Sequence, residues 1–308
     1  NAWNYLGITL DEQRRYEEAE AAYRKAIEID PQCATAWYNL GNTLHKQRRY
    51  EEAEVSYLRA IEIDPQHDYI WTSLGNTFAK QRRYEEAEVS YRKAIEIDPQ
   101  DAIAWYNLGN TLDDRGGYEE AETAYRKAIE IDPQYVHALN NLGITLANRR
   151  RYTEAETAYR KAIEIDPQHG YAWINLAGTL LLGQNRREEG ISALLRGLSL
   201  DPKADYGRYV LGLFWQASLP AAAKQITANQ PGADNLRTAL TETLLEQAVE
   251  DRNAVREALL ALDASDQQPF EALLLALQAL EDRSVLYRIA PEKRDLVLDV
   301  MARIAPAG

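Results

Sequence analysis

Residues 34–67 read ATAWYNLGNTLHKQRRYEEAEVSYLRAIEIDPQH, and residues 68–101 read DYIWTSLGNTFAKQRRYEEAEVSYRKAIEIDPQD. The two stretches are near copies, and the copy recurs along the chain. Asp30-Pro31, Asp64-Pro65, Asp98-Pro99, Asp132-Pro133 and Asp166-Pro167 stand 34 residues apart, and Asp201-Pro202 follows after 35. The Leu-Gly pair keeps step at Leu6-Gly7, Leu40-Gly41, Leu74-Gly75, Leu108-Gly109 and Leu142-Gly143, and becomes Leu176-Ala177 in the sixth copy. Within one copy, Trp37, Leu40, Gly41 and Leu44 recur at three- and four-residue steps, which predicts a first helix with one apolar face. Ala53, Tyr57, Ala60 and Ile61 predict a second. Gln47-Arg48-Arg49-Tyr50 reads as the turn between them. Pro65 ends the copy, because proline cannot continue a helix and suits the first turn of the next.

The small residues predict close packing, with Gly41 set against Ala53. A helical glycine costs roughly 1 kcal/mol of propensity, which tight packing has to offset. Trp37 and Tyr57 are expected to fill the wider gaps. The paired acids Glu17-Glu18, Glu51-Glu52 and Glu85-Glu86 open each second helix, where negative charge complements the helix dipole, and each faces an Arg-Arg turn. Gly116-Gly117 replaces Arg-Arg in the fourth turn. The pair lacks the strand, further glycines and Lys-Ser/Thr end of a phosphate loop, so a loosened turn is expected.

The Trp-Leu-Gly, Leu, Ala, Tyr, Ala, Pro series at a 34-residue period resembles the tetratricopeptide repeat family. That resemblance implies an all-α fold, a right-handed α-solenoid of helix-turn-helix repeats with a C-terminal helical capping region. Six repeats are expected over residues 1–204 (1–33, 34–67, 68–101, 102–135, 136–169 and 170–204). The sixth departs from the pattern: Gly190 and Gly197 replace alanines, Leu194 replaces the tyrosine, and the turn at Gly183-Gln184-Asn185 carries an extra residue. Residues 205–231 read as a degenerate seventh repeat with Pro220 opening its second helix, and residues 232–308 as the helical cap. Further helices are expected from Pro269 to Glu281 and from Pro291 to Ile304. The leucines at 273, 274, 275, 277 and 280 read as a buried cap face, with a partner-binding face as the competing reading. Asn1 falls inside a repeat, which leaves room for an upstream segment.

Composition narrows the function. A net charge of −13 disfavours nucleic acid, whose binding rests on a basic face. No polybasic run serves a membrane surface, and no apolar window is long enough to span one. The single cysteine, Cys33, excludes an intrachain disulfide framework and favours a cytoplasmic setting. His45, His67, His137 and His169 show no metal-ligand spacing and are expected as exposed turn or groove residues. No catalytic residue, metal site or cofactor is expected, and the chain is not read as an enzyme.

The face of each first helix opposite the Trp-Leu-Gly stripe should line the inner wall of the superhelix that the family forms. One column on it reads Tyr5, Asn39, Ser73, Asn107, Asn141 and Asn175; another reads Ile8, Asn42, Asn76, Asn110, Ile144 and Gly178. Asparagine amides can both donate to and accept from the backbone of an extended peptide, and peptide-binding members of the family use asparagines in these columns. Tyr38, Tyr69 and Tyr106 add aromatic surface, Lys46 and Lys80 positive charge, and Asp113 with Asp114 negative charge, which implies a ligand of mixed charge. The lysine with which some family members clamp chaperone tails is absent, since its column reads Asn4, Tyr38, Thr72, Tyr106, Asn140 and Ile174. The expected function is a protein-interaction scaffold gripping an extended peptide of a protein partner. A self-assembling homo-oligomer and a docking or sensor region of a larger regulatory protein stay open as alternatives.

Overall fold

Each period makes two helices because its apolar residues recur at helical steps on two successive segments and the Asp-Pro pair interrupts the second. The computed structural model describes residues 2–282 and 285–304. Asn1, residues 283–284 and residues 305–308, at the start of the expected array and in the expected cap, lie outside the described residues. The chain divides into two compact units, residues 1–149 and 150–308.

The first unit holds α1 (Ala2–Glu12), α2 (Tyr16–Ile29), α3 (Ala34–Lys46), α4 (Tyr50–Ile63), α5 (Asp68–Lys80), α6 (Tyr84–Ile97), α7 (Ala102–Asp114), α8 (Tyr118–Ile131) and α9 (Val136–Asn148). The second holds α10 (Tyr152–Ile165), α11 (Gly170–Gly178), α12 (Arg187–Leu200), α13 (Asp205–Thr227), α14 (Ala233–Glu250), α15 (Arg252–Leu260), α16 (Ala264–Gln267), α17 (Glu271–Glu281), α18 (Val285–Arg288) and α19 (Pro291–Ile304). The fold is the all-α solenoid of helix-turn-helix repeats that the period implied.

The tight contact inside a repeat is not the expected one. A methyl group on Gly41 would stand 2.7 Å from the Tyr57 ring, and Gly7, Gly75 and Gly109 meet Tyr23, Tyr91 and Tyr125 in the same way. The ring, rather than Ala53, therefore demands the glycine. The tyrosine is the fully buried aromatic of the repeat, at 1% exposure for Tyr57. The tryptophans are only half-buried and clamp the turn instead: the indole N–H of Trp37, Trp71, Trp105 and Trp173 donates to the carbonyl oxygen of Pro31, Pro65, Pro99 and Pro167 at 3.1–3.2 Å. The prolines sit in these turns, and the next helix begins three residues later, at Ala34 after Pro31. The preceding aspartate turns its carboxylate onto the backbone N–H two residues on, as Asp98 does for Gln100 at 2.9 Å.

The Arg-Arg turns need a left-handed residue. Arg14, Arg48, Arg82 and Arg150 have φ of 59–62°, and Gly116, with φ of 80°, holds the same position. Gly116 is thus the residue best suited to the turn rather than a loosening of it, since it lacks the Cβ that makes positive φ costly. The second arginine closes the turn and also joins repeats. Arg49 pairs with Glu52 at 2.7 Å and with Glu20 of the preceding repeat at 2.5 Å, and Arg83 does the same with Glu86 and Glu54. Where Gly117 removes that arginine, Arg115 takes over, bound to Glu88, and in the next repeat Arg149 binds Glu122. Burial alone would raise the Glu20 carboxyl, but hydrogen bonds from Arg49 and Arg24 outweigh it and hold its pKa below the ordinary glutamate value.

In the second unit, the extra residue of the sixth repeat enters a π-turn at Thr179–Gly183, marked by Gln184 N–H donating to the Thr179 carbonyl at 3.1 Å, rather than a longer loop. The wider turn keeps Arg186 in register with Glu156 and Glu189, both at 2.6 Å. The break expected at Pro220 falls earlier: α13 leaves helical geometry at Phe214 (φ −121°, ψ 19°) and carries Pro220 inside. Pro220 and Gln216, whose carbonyl loses its partner, are both exposed, so water can replace the missing bond. Pro269 lies in a 3-10 turn, Gln268–Phe270, and α17 starts at Glu271 rather than at the proline. Leu273 and Leu277 of α17 are buried at 3%, and α17 packs against α15 and α19.

The Gly–Tyr contact makes a prediction whose sign is informative. Helix propensity alone says that Gly75→Ala stabilises by about 1 kcal/mol. Overpacking against Tyr91 instead predicts a net destabilisation of about 1–2 kcal/mol, read as a lowered thermal midpoint.

Candidate functional site

The wall columns are built by the outward turns of α3, α5, α7 and α9, and their asparagines are already engaged. The hydroxyls of Tyr57, Tyr91 and Tyr125 donate to Oδ1 of Asn42, Asn76 and Asn110 at 2.7, 2.7 and 2.8 Å. Burial pushes all three phenols well above the ordinary tyrosine range, so they stay protonated donors. The next repeat adds a second bond: Asn107 Nδ2 donates to Asn76 Oδ1 at 3.1 Å, and Asn141 Nδ2 to Asn110 Oδ1 at 2.9 Å. Asn39 Nδ2 donates to Asn4 Oδ1 at 3.2 Å.

These bonds decide what two of the asparagines can offer. Both lone pairs of Asn76 and Asn110 are occupied, so these side chains no longer offer the wall an acceptor. Their Nδ2 groups, and that of Asn42, have no protein partner among the described residues. At Asn76 and Asn110 the wall therefore presents donors, suited to carbonyl or carboxylate oxygens.

Two openings lie between repeats of the first unit. One, of about 180 Å³, is lined by Asn42, His45, Lys46, Tyr57, Ser73 and Asn76. The other, of about 330 Å³, is lined by Asn110, Asp113, Asp114, Tyr125, Asn141 and Ile144. Each residue of the second stands two 34-residue periods after its counterpart in the first, so the same positions line both.

Their electrostatics differ. Lys46 pairs with Asp11, which also accepts from Thr43 Oγ1 at 2.8 Å. Lys80, at the end of α5, makes no ion pair among the described residues. His45 is half-buried and bonded to Thr77 Oγ1 at 2.9 Å; since that hydroxyl donates to the Ser73 carbonyl, His45 Nδ1–H is the donor. Burial, helped by the charge of Lys80, lowers the His45 pKa and leaves the ring neutral at pH 7. In the second opening Asp113 accepts from Thr145 Oγ1 at 2.7 Å, and burial with Asp114 beside it raises its pKa. Asp114 is exposed and makes no ion pair among the described residues.

Aromatic surface flanks the openings in alternate repeats. Tyr38 and Tyr69 pack edge-on with centroids 4.9 Å apart, and Tyr106 meets Tyr135 at 4.9 Å. Tyr106 also accepts from Asn141 Nδ2 at 3.3 Å. Of the expected residues, Asn42, Lys46 and Asn76 come together at the first opening and Asn110 and Asn141 at the second, with Asn107 bridging to Asn76. Asn175 belongs to the second unit, where its column neighbour is Gly178. A methyl group there would lie 2.2 Å from the Tyr206 hydroxyl, so the tyrosine fills the place of an asparagine.

Sequence reasoning placed His45 among exposed turn or groove residues although it is half-buried at the first opening, and missed Tyr135 and the tyrosine–asparagine bonds. The last had a signal: Tyr57, Tyr91 and Tyr125 each follow their asparagine by 15 residues. Nor are all histidines idle surface groups, since His169 Nδ1 also accepts from the Ala172 N–H at 3.2 Å and caps α11. Among the described residues no cluster of three His, Cys, Asp or Glu could hold a metal ion, and no helix is long and apolar enough to cross a membrane.

Residues 1–170 match the family model described as the C-terminal domain of cilia and flagella-associated protein 70. The chain belongs to this tetratricopeptide repeat family. Among solved structures it is similar to YrrB, described as a TPR protein with an unusual peptide-binding site, at 25% identity and a TM-score of 0.52 over 61% of this chain and 97% of that one. The pilF protein of Pseudomonas aeruginosa (21% identity, TM-score 0.60, 68% of this chain and 95% of that one) and PilW, a type IV pilus biogenesis factor (18%, 0.61, 68% and 97%), share the fold. Comparison with curated proteins gives no match. Family membership places the tetratricopeptide array among protein-interaction scaffolds.

The bonding pattern predicts that the asparagines differ in what they carry. Asn76→Ala strands the buried Tyr91 hydroxyl and an Asn107 N–H and should cost about 1–3 kcal/mol in denaturant unfolding. Asn39→Ala, which removes one partly exposed bond, should cost less than half as much.

Proposed function

We propose that this chain is a non-enzymatic scaffold that holds an extended segment of a partner protein along the asparagine wall of residues 34–149. The observation that carries the reading is the row of unused Nδ2 amides of Asn42, Asn76 and Asn110, which line the two openings and are held in place through their Oδ1 atoms. An extended peptide brings a row of backbone carbonyls that need donors once water is displaced. Because the amides are held by the tyrosines and neighbouring asparagines, little side-chain freedom is lost on binding. Tyr38, Tyr69, Tyr106 and Tyr135 offer apolar area beside them. The peptide-binding site in the description of YrrB supports the reading by analogy.

In this reading residues 205–231 continue the array in degenerate form and residues 232–308 cap it, covering an apolar repeat face that would otherwise be open. The single cysteine fits a cytoplasmic setting, and the net negative charge fits a protein rather than a nucleic-acid partner. Trp3, Tyr5 and Leu6, exposed at 42%, 70% and 44%, favour a second reading in which α1 joins copies of the chain.

Asparagine-to-aspartate changes separate wall chemistry from folding, because a carboxylate keeps both acceptor positions while removing the free donors. In the Asn42→Asp, Asn76→Asp double variant the thermal midpoint should stay within a few degrees of the parent. Affinity for peptides selected on the parent chain should fall at least about fivefold, the loss of one or more hydrogen bonds of about 1 kcal/mol each. Unchanged affinity would place the ligand elsewhere.

A further inference from the structure

The two openings of the first unit are copies in position but opposites in charge. Lys46 occupies in the first the place that Asp114 occupies in the second, and neutral His45 the place of Asp113. A wall that gripped only peptide backbone would have no reason to alternate in this way, because backbone recognition is indifferent to side-chain charge. Lys46 is paired with Asp11, so the available positive charge beside the first opening is that of Lys80, which acts on His45 of its lining, and Asp114 makes no ion pair among the described residues. Asp113 is held in an unfavourable state, half-buried beside another acid, its carboxylate accepting from the Thr145 hydroxyl.

We propose that the wall takes a segment with two opposite charges, a carboxylate side chain at the first opening, beside Lys80, and a lysine or arginine about six residues away at the Asp113–Asp114 opening. This rests on the peptide-wall reading above and adds to it the sequence that is read. The spacing follows from geometry. First helices of adjacent repeats are joined by direct bonds between short side chains, Asn107 to Asn76 and Asn141 to Asn110. Their axes therefore lie in the ordinary packing range of roughly 8–10 Å. Two such steps are roughly 16–20 Å, which an extended chain covers in about five or six residues at ~3.4 Å each. Side chains of an extended strand alternate between faces, so two that point into the same wall are an even number apart, which selects six. The aliphatic stem of a lysine or arginine can lie along Ile144 while its head meets the two acids. Neither charge is buried deeply, so the pair sets which segments bind and how fast they arrive more than how tightly they are held.

The test is selection of phage-displayed random 12-residue peptides on the full chain, run in parallel on Lys80→Glu, Asp114→Lys and the Asn42→Asp, Asn76→Asp variant. Lys80 and Asp114 are exposed and unpaired, so both charge variants should keep the parent's thermal midpoint. Selection on the parent should enrich peptides with an acid and a base about six residues apart. Lys80→Glu should shift the enriched set toward two bases, and Asp114→Lys toward two acids. Each variant should bind the parent's best peptide about fivefold or more weakly. Enrichment that is lost in the asparagine variant but shows no paired charges, or the same peptides selected by both charge variants, would overturn the charge reading and leave the peptide wall standing. No enrichment on the parent, or enrichment indifferent to the asparagine change, would overturn both.

Discussion

The contact between a glycine of the first helix and a tyrosine ring of the second is the constraint on which the rest of the array depends. A methyl group 2.5–2.7 Å from the ring has no room, so Gly7, Gly41, Gly75 and Gly109 cannot be exchanged for the better helix formers that propensity would favour. With the ring pressed against backbone, the phenol hydroxyl meets the asparagine that directly follows the glycine on the first helix. A core residue thus fixes the rotamer of a surface residue, and the next repeat's asparagine fixes it again from the side. Packing, register and wall chemistry are three consequences of one close approach.

The 34-residue period, the two helices of each repeat and the outward asparagine columns were legible because they depend on spacing alone. Partners were not, because spacing does not say which of two small residues faces a ring. Spacing sets Gly41 against Ala53 although Tyr57 is the neighbour that requires it, and makes Gly116 a loosened turn although the backbone needs a left-handed residue there. The sixth repeat shows the same limit: an inserted residue counts the same in a loop or in a π-turn, and only the need to bring Arg186 to Glu156 decides between them. At the wall, the identity of the asparagines was readable, but their bonding depends on a tyrosine 15 residues later and an asparagine one repeat on. That Asn76 and Asn110 are left with donors alone therefore emerged only in three dimensions.

Charge is distributed on two independent levels. Away from the wall, Glu20, Glu54, Glu88, Glu122 and Glu156 bind arginines of the following repeat, a repeating tie that survives even where Gly117 removes the usual arginine. On the wall, the same column changes sign from Lys46 to Asp114 while the asparagine–tyrosine frame around it stays fixed. A frame that does not change under a column that does allows specificity to vary from repeat to repeat without disturbing the packing that holds the repeats together.

The most direct measurement of this account is a double-mutant cycle on Tyr125→Phe and Asn110→Ala, read by denaturant unfolding. If the buried phenol and the wall amide form one unit, the two losses are not additive, and the coupling energy is about 1 kcal/mol or more. Additive losses, with coupling near zero, would mean that the wall asparagines are set independently of the core and would contradict the account.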